Sequence, residues 1–435
     1  MASTNEDNRS RDDSVDRPLR VCFVVLDAYP AIDSRVSGGI GGIETRSWLL
    51  ARALSQQADI EVSFLVRTSE TILKFEYDGV QIVPVYDRFA EIRNTVSRSV
   101  KRKQRFPWLS FKECRIELLW QLPVLALYEP FRPVFHAKSD PVQPVKLFSE
   151  MNTDILACFG VNVVSAAVIA SAKAAGKKSV LFIASDIDLD ERYTAESDYV
   201  NIYHSPAKAC HYSVENADQV IVQTPEQLKM LEENFGRSGE LMGNPIDLEE
   251  WDHRLESSKL PAEVEGFDRY VLWVGRAERN QKQPQLMPEL ARLCPDQTFL
   301  MIMNPGDEQL AAEVRQSAPA NLKIIDRVPF PDMPAVYRHA VALVNTSDSE
   351  GFPNTFLQAA ASGVPVASFK VCEEFLEASK AGVCAQGSME QLGGLVQEIS
   401  IDKSNGNADS ARDYICQHHD IRNSVSEVAK LLKRL

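Results

Sequence analysis

Short apolar runs alternate with polar, helix-forming segments along most of the chain. Around residue 350 the order is an apolar run at 341–344, a polar loop at 345–353, a helix-forming segment at 355–361 with Asn354 as its candidate N-cap, and a second apolar run at 364–368. Apolar runs of this length are typical of buried parallel strands. The order strand, loop, helix, strand is the repeating unit of a doubly wound α/β sheet.

The same alternation divides the chain into two α/β halves. A length of 435 residues exceeds one typical core and predicts two domains. We predict a polar, disordered tail at 1–18, a first domain at 19–235, a glycine- and proline-containing linker at 236–262, a second domain at 263–420 and a terminal helix at 421–435. Predicted strands lie at 19–26, 60–67, 80–86, 154–159, 179–184 and 217–223, and, ahead of the central run, at 270–274, 298–303 and 322–328.

Composition narrows the class of protein. The formal net charge of −14 argues against a nucleic-acid partner. Eight scattered cysteines without a CxxC pair indicate buried, reduced thiols instead of a disulfide framework or a zinc site. No apolar run is long enough to span a bilayer, and the first residues lack the apolar stretch of a secretory signal. We therefore expect a cytoplasmic protein, or one that is peripheral at the inner face of the membrane.

Candidate chemistry lies in the loop and helix that follow the run at 341–344. Glu350 is in the loop, and Gln358 follows eight residues later, one turn into the helix. Open α/β sheets bind ligands at this edge, and a helix N-terminus favours a phosphate. A carboxylate and an amide in these places could grip the hydroxyls of a sugar and a ribose. The alternative is an ordinary strand-to-helix loop with a solvated glutamate.

The run E-G-F-P-N-T-F-L-Q-A-A-A-S-G-V-P-V, residues 350–366, resembles the signature of retaining family-4 glycosyltransferases (glycosyl transferases group 1). That signature has two glutamates separated by seven residues, and Gln358 stands at the second. The resemblance implies the GT-B fold, in which two facing Rossmann-like domains enclose a cleft. It implies that Glu350 holds the donor sugar, with Gly351 and Phe352 beside it. Gln358 would hold the ribose through hydrogen bonds without charge.

Two further donor-side features follow from the resemblance. Gly275-Arg276, with Lys282 six residues after Arg276, is similar to the pair of cations that clamps the donor diphosphate. Two cations beside a helix start would stabilise a leaving pyrophosphate. Arg276 and Lys282 are therefore, with Glu350, the candidate catalytic residues. By the same resemblance Arg327 and Val328 lie near the nucleotide base.

The same resemblance implies that two features of the first half face the cleft. A glycine-rich loop at 38–44 lies between a strand and a helix, and alone it is as consistent with a flexible turn as with a ligand cradle. Family members carry Gly-Gly-apolar-Glu here, which Gly41, Gly42 and Glu44 match, facing the donor phosphates and the acceptor. Ser185-Asp186 stands where many members have His-Asp. Glu44, Ser185 and Asp186 are therefore acceptor-side candidates.

Three other segments carry charge or apolar surface. The segment at 88–111 is rich in arginine and lysine followed by aromatic residues, which indicates contact with an anionic membrane or a lipid-linked acceptor, or equally a solvated basic helix. The apolar segment at 118–128 predicts a core helix. An acidic run at 186–198 predicts a solvated loop instead of a cation site. We expect no metal and no cofactor besides the nucleotide-sugar co-substrate.

The predicted function is the transfer of a sugar, with retention of configuration, from a nucleoside diphosphate sugar to a sugar, polysaccharide or lipid-linked acceptor. The resemblance also implies that the first domain takes the acceptor, the second takes the donor, and the last helix packs back on the first domain. Ser185 and Gln358 motivate the alternative of a catalytically silent homologue that binds a nucleotide sugar or a partner as a scaffold. A nucleotide-sugar epimerase is a third, weaker alternative, since it would leave the basic segment without a purpose.

Overall fold

The computed structural model describes residues 17–33, 35–36, 40–72, 74–102, 109–111, 117–267, 269–401 and 408–435. The strands are β1 (Leu19–Val24), β2 (Ile60–Thr68), β3 (Glu76–Tyr77), β4 (Val80–Tyr86), β5 (Val100–Arg102), β6 (Leu109–Phe111), β7 (Ile155–Phe159), β8 (Lys178–Phe182), β9 (Gln219–Val222), β10 (Glu240–Leu241), β11 (Tyr270–Arg276), β12 (Phe299–Asn304), β13 (Leu322–Ile325), β14 (Ala340–Asn345), β15 (Val366–Ser368) and β16 (Gly382–Cys384).

Helices separate most of these strands. They are α1 (Tyr29–Ile32), α2 (Gly42–Leu54), α3 (Ala90–Ser99), α4 (Leu118–Tyr128), α5 (Lys146–Ser149), α6 (Val163–Ala174), α7 (Ala207–Asn216), α8 (Pro225–Phe235), α9 (Leu248–Ser257), α10 (Met287–Leu293), α11 (Glu308–Ser317), α12 (Met333–His339), α13 (Asn354–Ala361), α14 (Glu373–Ser379), α15 (Met389–Ile401), α16 (Ala408–His418) and α17 (Ile421–Arg434). Single 3-10 turns lie at Glu129–Phe131, Asp186–Leu189, Pro284–Leu286 and Phe330–Asp332.

The first sheet has eight strands in the order β10-β9-β8-β7-β1-β2-β4-β3. All neighbours are parallel except β3, which pairs antiparallel with β4. Its strands are short and apolar because helices cover both faces, so successive side chains are buried on either side. On one face, the rings of Phe23, Phe64, Phe159 and Phe182 stack, with Phe159 and Phe182 4.4 Å apart between centroids. Trp48 of α2 meets the Phe64 ring edge-on, so the hydrophobic core of the first domain lies directly beneath α2.

The second sheet has six parallel strands in the order β13-β12-β11-β14-β15-β16. The chain order reverses between β11 and β14, which lie side by side at the centre. In open parallel sheets the loops that leave two such strands diverge and form a crevice. With this sheet beside the first, the predicted α/β class with two Rossmann-like domains is confirmed.

Two passages of the chain run between the sheets, and they are hydrogen-bonded to each other. Ile246 on the outgoing passage accepts from Ile421 N at 3.0 Å and donates to His419 O at 2.8 Å on the returning one. After the return, α17 buries Val425, Val428 and Leu432 in the core of the first sheet. The segment predicted as a linker at 236–262 contains β10 and α9, two elements that its glycines and prolines did not indicate.

Two local predictions were wrong. Helix α4 was expected in the core, yet Trp120 and Leu127 are exposed, and among its described side chains the buried ones are Leu118 and Gln121. Asn354 was expected to cap α13, but Pro353 is the N-cap residue and Asn354 is the first residue of the helix. The Asn354 side chain instead accepts from Asn244 Nδ2 at 2.9 Å.

Part of the basic segment at 88–111 lies outside the described residues, namely 103–108. The remainder forms α3 and the antiparallel ribbon β5–β6, with α3 packed beside α4. Within the described residues, no helix is both long enough and apolar enough to cross a bilayer.

Candidate active site

The loops that follow β11 and β14 meet where the strand order reverses. Thr346 Oγ1 donates to the Lys282 carbonyl at 2.8 Å, and Asp348 N donates to the Gln281 carbonyl at 3.0 Å. Trp273 on β11 in turn donates its indole N–H to Thr346 Oγ1 at 2.8 Å. The two loops therefore form one hydrogen-bonded unit at the carboxyl edge of the sheet, where such folds bind ligands.

Lys282 and Glu350 form an ion pair inside this unit. Glu350 is 8% exposed, and Ser347 Oγ donates to its Oε1 at 2.7 Å, the same oxygen that Lys282 contacts. Among the described residues, no group bonds the other oxygen, Oε2. A buried carboxylate held by a cation and a hydroxyl keeps a fixed orientation. Glu350 therefore presents one oriented acceptor oxygen beside a cation.

Glu278 organises the loop that carries Lys282. Its Oε2 accepts from Gln281 N at 2.6 Å and Lys282 N at 3.2 Å, and its Oε1 accepts from Asn280 N at 2.9 Å. Three backbone donors converging on one carboxylate make a rigid turn. Sequence reasoning missed Glu278, although an acidic residue two to four positions before exposed backbone N–H groups is a recognisable turn signal.

Arg276 is exposed at the end of β11. Its Nε donates to the Pro305 carbonyl at 3.1 Å, which directs the guanidinium along the edge of the sheet. Gly306 makes this approach possible, since a Cβ at Gly306 would lie 3.0 Å from Arg276 Cγ. Burial raises the pKa of Glu44 on the first domain, and the positive charge of Arg276 acts in the opposite direction.

The other donor-side candidates are placed differently. The Tyr337 hydroxyl donates to Gln358 Oε1 at 3.0 Å, so the Gln358 carbonyl oxygen is already engaged. The Phe352 ring is buried and stacks on His419 with centroids 5.2 Å apart, so it supports the loop from behind. Arg327 is exposed in the loop after β13, and Val328 belongs to the core of the second domain.

The glycine-rich loop of the first domain ends in a capping box. Glu44 accepts from Gly41 N at 2.8 Å, which satisfies one of the free N–H groups at the start of α2. Burial is the main cause that raises the pKa of Glu44. A Cβ at Gly42 would lie 3.7 Å from Asn354 Nδ2, so the N-termini of α2 and α13 face each other. Of the two predicted glycines, Gly41 has its N–H occupied by Glu44.

Ser185 and Asp186 lie against the donor loop. A Cβ at Gly351 would be 3.0 Å from both Ser185 Cα and the Ala184 carbonyl carbon, so the backbones touch. Asp186 accepts from Gln227 Nε2 at 3.0 Å. Burial raises the pKa of Asp186 to about 6, and the negative charge of Glu350 contributes to the rise. Asp186 therefore follows the backbone that touches the loop carrying Glu350 and Gly351.

The acidic run after β8 was predicted to be a solvated loop, and for Asp188 this was wrong. Asp188 is buried and accepts from Ala184 N at 2.8 Å, Val161 N at 3.1 Å and Ser185 N at 3.2 Å. These bonds shape the turn that places Asp186. Within the described part of the chain, no group of three or more His, Cys, Asp or Glu side chains could hold a metal ion.

Two more side chains near the site carried no sequence signal. Cys372, at φ 57° before α14, is close enough to Glu350 and Asp186 for their charges to raise the pKa of its thiol further, after burial as the main cause. Burial raises the pKa of the Tyr203 phenol on the first domain, and the carboxylates of Asp188, Glu278 and Glu350 raise it further. A lone cysteine and a loop tyrosine match no motif, so only the fold places them here.

Comparisons with known proteins agree with this architecture. Residues 268–400 match the family described as Glycosyl transferases group 1. Sucrose-phosphate synthase from Thermosynechococcus elongatus has a TM-score of 0.64 and 14% identity, over 96% of this chain and 98% of that chain. An E. coli structure described as trehalose-6-phosphate bound with UDP-2-fluoro glucose has a TM-score of 0.61 and 12% identity, over 96% of this chain and 99% of that chain.

WaaG, described as a glycosyltransferase involved in lipopolysaccharide biosynthesis, has a TM-score of 0.57 and 12% identity, over 95% of this chain and 99% of that chain. The search of curated proteins gave no match. Identities this low establish the fold alone. The chain has the GT-B fold of these glycosyltransferases, and its second domain carries the group 1 glycosyl transferase match.

Proposed function

We propose that this protein is a retaining glycosyltransferase of family 4 that transfers a sugar from a nucleoside diphosphate sugar to an acceptor bound by the first domain. One observation carries the proposal. Lys282 and Glu350 are paired on two loops that meet at the reversal of strand order, and Arg276 lies at the same edge. A cation pair and a buried carboxylate in this arrangement suit a sugar diphosphate.

The positive charges would act on the leaving group. When the bond between the sugar C1 and the phosphate oxygen breaks, negative charge grows on the diphosphate. Arg276 and Lys282 are fixed in advance by Pro305 and Glu350, so they stabilise that charge without reorganising. Glu350 Oε2 would accept a hydrogen bond from a donor-sugar hydroxyl, and the Gln358 amide would donate to a ribose oxygen.

Retention of configuration at the sugar C1 requires the new bond to form on the same face of the sugar from which the phosphate departs. The acceptor oxygen bonds to C1, and its proton passes to the departing phosphate oxygen, so atoms and charges balance without a protein base. The close approach of Gly351 to Ala184 and Ser185 would exclude water from the reacting centre. In this scheme the nucleotide sugar is a co-substrate, and no metal or cofactor is required.

The first experiment is thermal unfolding of the purified protein against a panel of nucleoside diphosphates and their sugars. A ligand that binds only the native state raises the melting temperature. We expect one base to do so, and Arg276→Ala to abolish the shift. The matched control is Arg279→Ala, in the same loop, whose side chain pairs with Glu313 on the surface. If no ligand stabilises the wild type, or Arg279→Ala has the same effect, the donor site is wrongly placed.

A second candidate is a binding protein without transfer activity. The uncharged Gln358, with its carbonyl oxygen engaged by Tyr337, favours it because the ribose grip would be weaker. Release of the nucleoside diphosphate from a stabilising nucleotide sugar separates the two. Turnover supports the transferase, and stabilisation without release over hours supports the binding protein.

We further propose that the enzyme acts at the cytoplasmic face of a membrane on a sugar, polysaccharide or lipid-linked acceptor. The exposed Trp120 and Leu127 of α4, packed beside the basic helix α3, support contact with an anionic bilayer. Neutralising Lys101, Arg102 and Lys103 together should reduce co-sedimentation with anionic vesicles. Binding equal to that of the wild type would remove the membrane contact from the proposal.

A further inference from the structure

Helix α2 carries a buried arginine that the proposed chemistry does not use. Arg46 lies one turn after Gly42 and is 3% exposed. Among the described residues no carboxylate pairs with Arg46, and its Nε has no hydrogen-bond partner. Burial lowers the pKa of its guanidinium. A buried charge without a counter-charge costs free energy, so an apolar side chain of similar size would suit the stability of the first domain at least as well.

The guanidinium binds two backbone carbonyls. Its Nη1 donates to the Ile183 carbonyl oxygen at 3.0 Å, and its Nη2 donates to the Met242 carbonyl oxygen at 3.3 Å. Its central carbon lies 5.3 Å from the centre of the Phe182 ring, within the range of a cation–π contact. Ile183 follows β8 and Met242 follows β10, and β9 lies between these strands in the sheet. Arg46 therefore joins two segments that the sheet does not pair directly.

The first of these segments leads to a contact with the donor loop. Ala184 follows Ile183, and a Cβ at Gly351 would lie 2.3 Å from the Ala184 carbonyl oxygen. The backbone after β8 is therefore pressed against the loop that carries Glu350. Because one planar peptide unit separates Ile183 from Ala184, a shift of the Ile183 carbonyl would displace this contact.

The second segment leads to another contact with the same loop. Asn244 comes two residues after Met242, and its Nδ2 donates to the Phe352 carbonyl oxygen at 3.0 Å. Between them, a Cβ at Gly243 would lie 2.6 Å from Cε1 of the His419 ring, so this passage is closely packed. The position of Met242 therefore determines where Asn244 meets Phe352.

The helix that carries Arg46 makes a third contact. A Cβ at Gly42 would lie 3.7 Å from Asn354 Nδ2, at the start of α13. Gly42 and Arg46 are four residues apart on one helix, which fixes their separation. All three contacts of the first domain with residues 351–354 thus lie within two residues, or one helical turn, of a group that Arg46 holds.

We propose that Arg46 is a positioning residue, which fixes the spacing of Gly42, the Ala184–Ser185 backbone and Asn244 so that all three meet the donor loop together in the closed cleft. A planar guanidinium suits this role, because its N–H groups have fixed directions and can bond two carbonyls at once. The inference rests on the proposed transferase function and adds a residue that acts through the domain contacts.

The test replaces Arg46 with methionine, which has a similar length and no charge. We expect kcat for transfer to fall roughly tenfold, while nucleoside diphosphate affinity in calorimetry stays unchanged because the second domain provides that site. The share of donor hydrolysed by water should rise, since a cleft that closes poorly admits water. The melting temperature should stay equal or rise, because the cost of burying the charge is removed. If Arg46→Met does not fold, Arg46→Lys, which keeps the charge and lacks the planar fork, should show the same fall in kcat at unchanged nucleotide affinity.

Arg237→Met is the matched control. Arg237 also donates to backbone carbonyls, those of Val214, Glu215 and Ala217, at 2.7–2.9 Å, and none of the three adjoins a contact with the donor loop. This variant should lower the melting temperature and leave kcat and donor hydrolysis unchanged. A double-mutant cycle with Gly351→Ala assigns the effect to the domain contact, because the double variant should lose about as much activity as the more impaired single variant. Fully additive losses would place the action of Arg46 elsewhere and overturn the proposal.

Amide hydrogen exchange gives a readout that needs no turnover. In Arg46→Met, exchange at 184–186 and at 350–356 should be faster than in the wild type, and Arg237→Met should match the wild type in both segments. If the wild type releases no nucleoside diphosphate from any nucleotide sugar, the proposed function fails, and the exchange rates still test the positioning role. Unchanged exchange in both segments, or unchanged kcat in a folded Arg46 variant, overturns this inference alone.

Discussion

Replacing Gly351 with alanine tests whether the close approach of the two domains is needed for activity. A Cβ at Gly351 would lie 2.3 Å from the Ala184 carbonyl oxygen and 3.0 Å from both the Ala184 carbonyl carbon and Ser185 Cα. Non-bonded heavy atoms prefer separations of about 3.5–4.0 Å, so the shortest of these contacts is too short by roughly 1 Å or more. Both partners are backbone, and no side chain can rotate away. The substitution must therefore push the domains apart at this point.

The magnitude follows from the cost of overpacking. Inserting a methyl group into a tightly packed place costs about 1–3 kcal/mol. The contact joins two domains. This free energy therefore destabilises the closed arrangement, in which Gly351 touches Ala184 and Ser185, and leaves the folding of each domain unchanged. It corresponds to a loss of roughly 5- to 150-fold in the closed population. We expect kcat/KM for transfer to fall by this factor, while nucleotide affinity changes little.

The assay measures transfer, nucleotide binding by calorimetry and thermal unfolding of each variant. Gly394→Ala is the control, because a Cβ at Gly394 in α15 meets no atom of another element within 4 Å. It should raise the free energy of unfolding by about 0.4–1 kcal/mol and leave transfer unchanged. Full activity in folded Gly351→Ala would refute the reasoning, and so would an equal loss of activity in Gly394→Ala.

Two further predictions concern charged groups of the site. Lys282→Met removes one of the two cations of the proposed clamp and should weaken nucleoside diphosphate binding roughly 10- to 100-fold in calorimetry. Lys370→Met, which breaks an exposed pair with Asp348, should leave affinity unchanged, and equal affinities in both variants would count against the clamp. Asp186→Asn removes a carboxyl whose pKa burial raises from 3.8 to about 6. Between these values the unfolded chain loses the proton first, so wild-type stability falls as pH rises, with each pKa unit worth about 1.4 kcal/mol. Urea denaturation from pH 4 to 7 should show a shallower fall for the variant, and parallel profiles would contradict the assignment.

The alternation of apolar and polar segments predicted both sheets and the loops that carry the site. Strand β4 has the predicted bounds, and β14 differs from its prediction by one residue at each end. Parallel strands bring the ends of β11 and β14 to one edge, so Lys282 and Glu350, 68 positions apart, could be expected in one site from topology alone. For the donor loops, the local pattern of apolar and polar residues and the arrangement of strands in the whole sheet therefore predict the same position.

The features that sequence did not predict depend on contacts between distant segments. Asp188 reads as one acid in a polar run, and only the fold shows that three backbone N–H groups surround it. Helix α4 has a core-like composition, and composition alone does not tell a covered apolar face from an exposed one. Burial and orientation of this kind are properties of the assembled chain.

The two hydrogen-bonded passages between the domains lie beside the donor loop, so a rotation of one domain against the other would turn about them. The His419 ring N–H donates to the Asn244 carbonyl at 2.8 Å, and Asn244 Nδ2 donates to the Phe352 carbonyl at 3.0 Å. Rotation about a pivot displaces each atom in proportion to its distance from the axis. The donor loop, next to the axis, therefore keeps its position while the far rim of the cleft sweeps the widest arc. A molecule at the rim would therefore exchange with solvent over a small angle of rotation, and one against the donor loop would stay held.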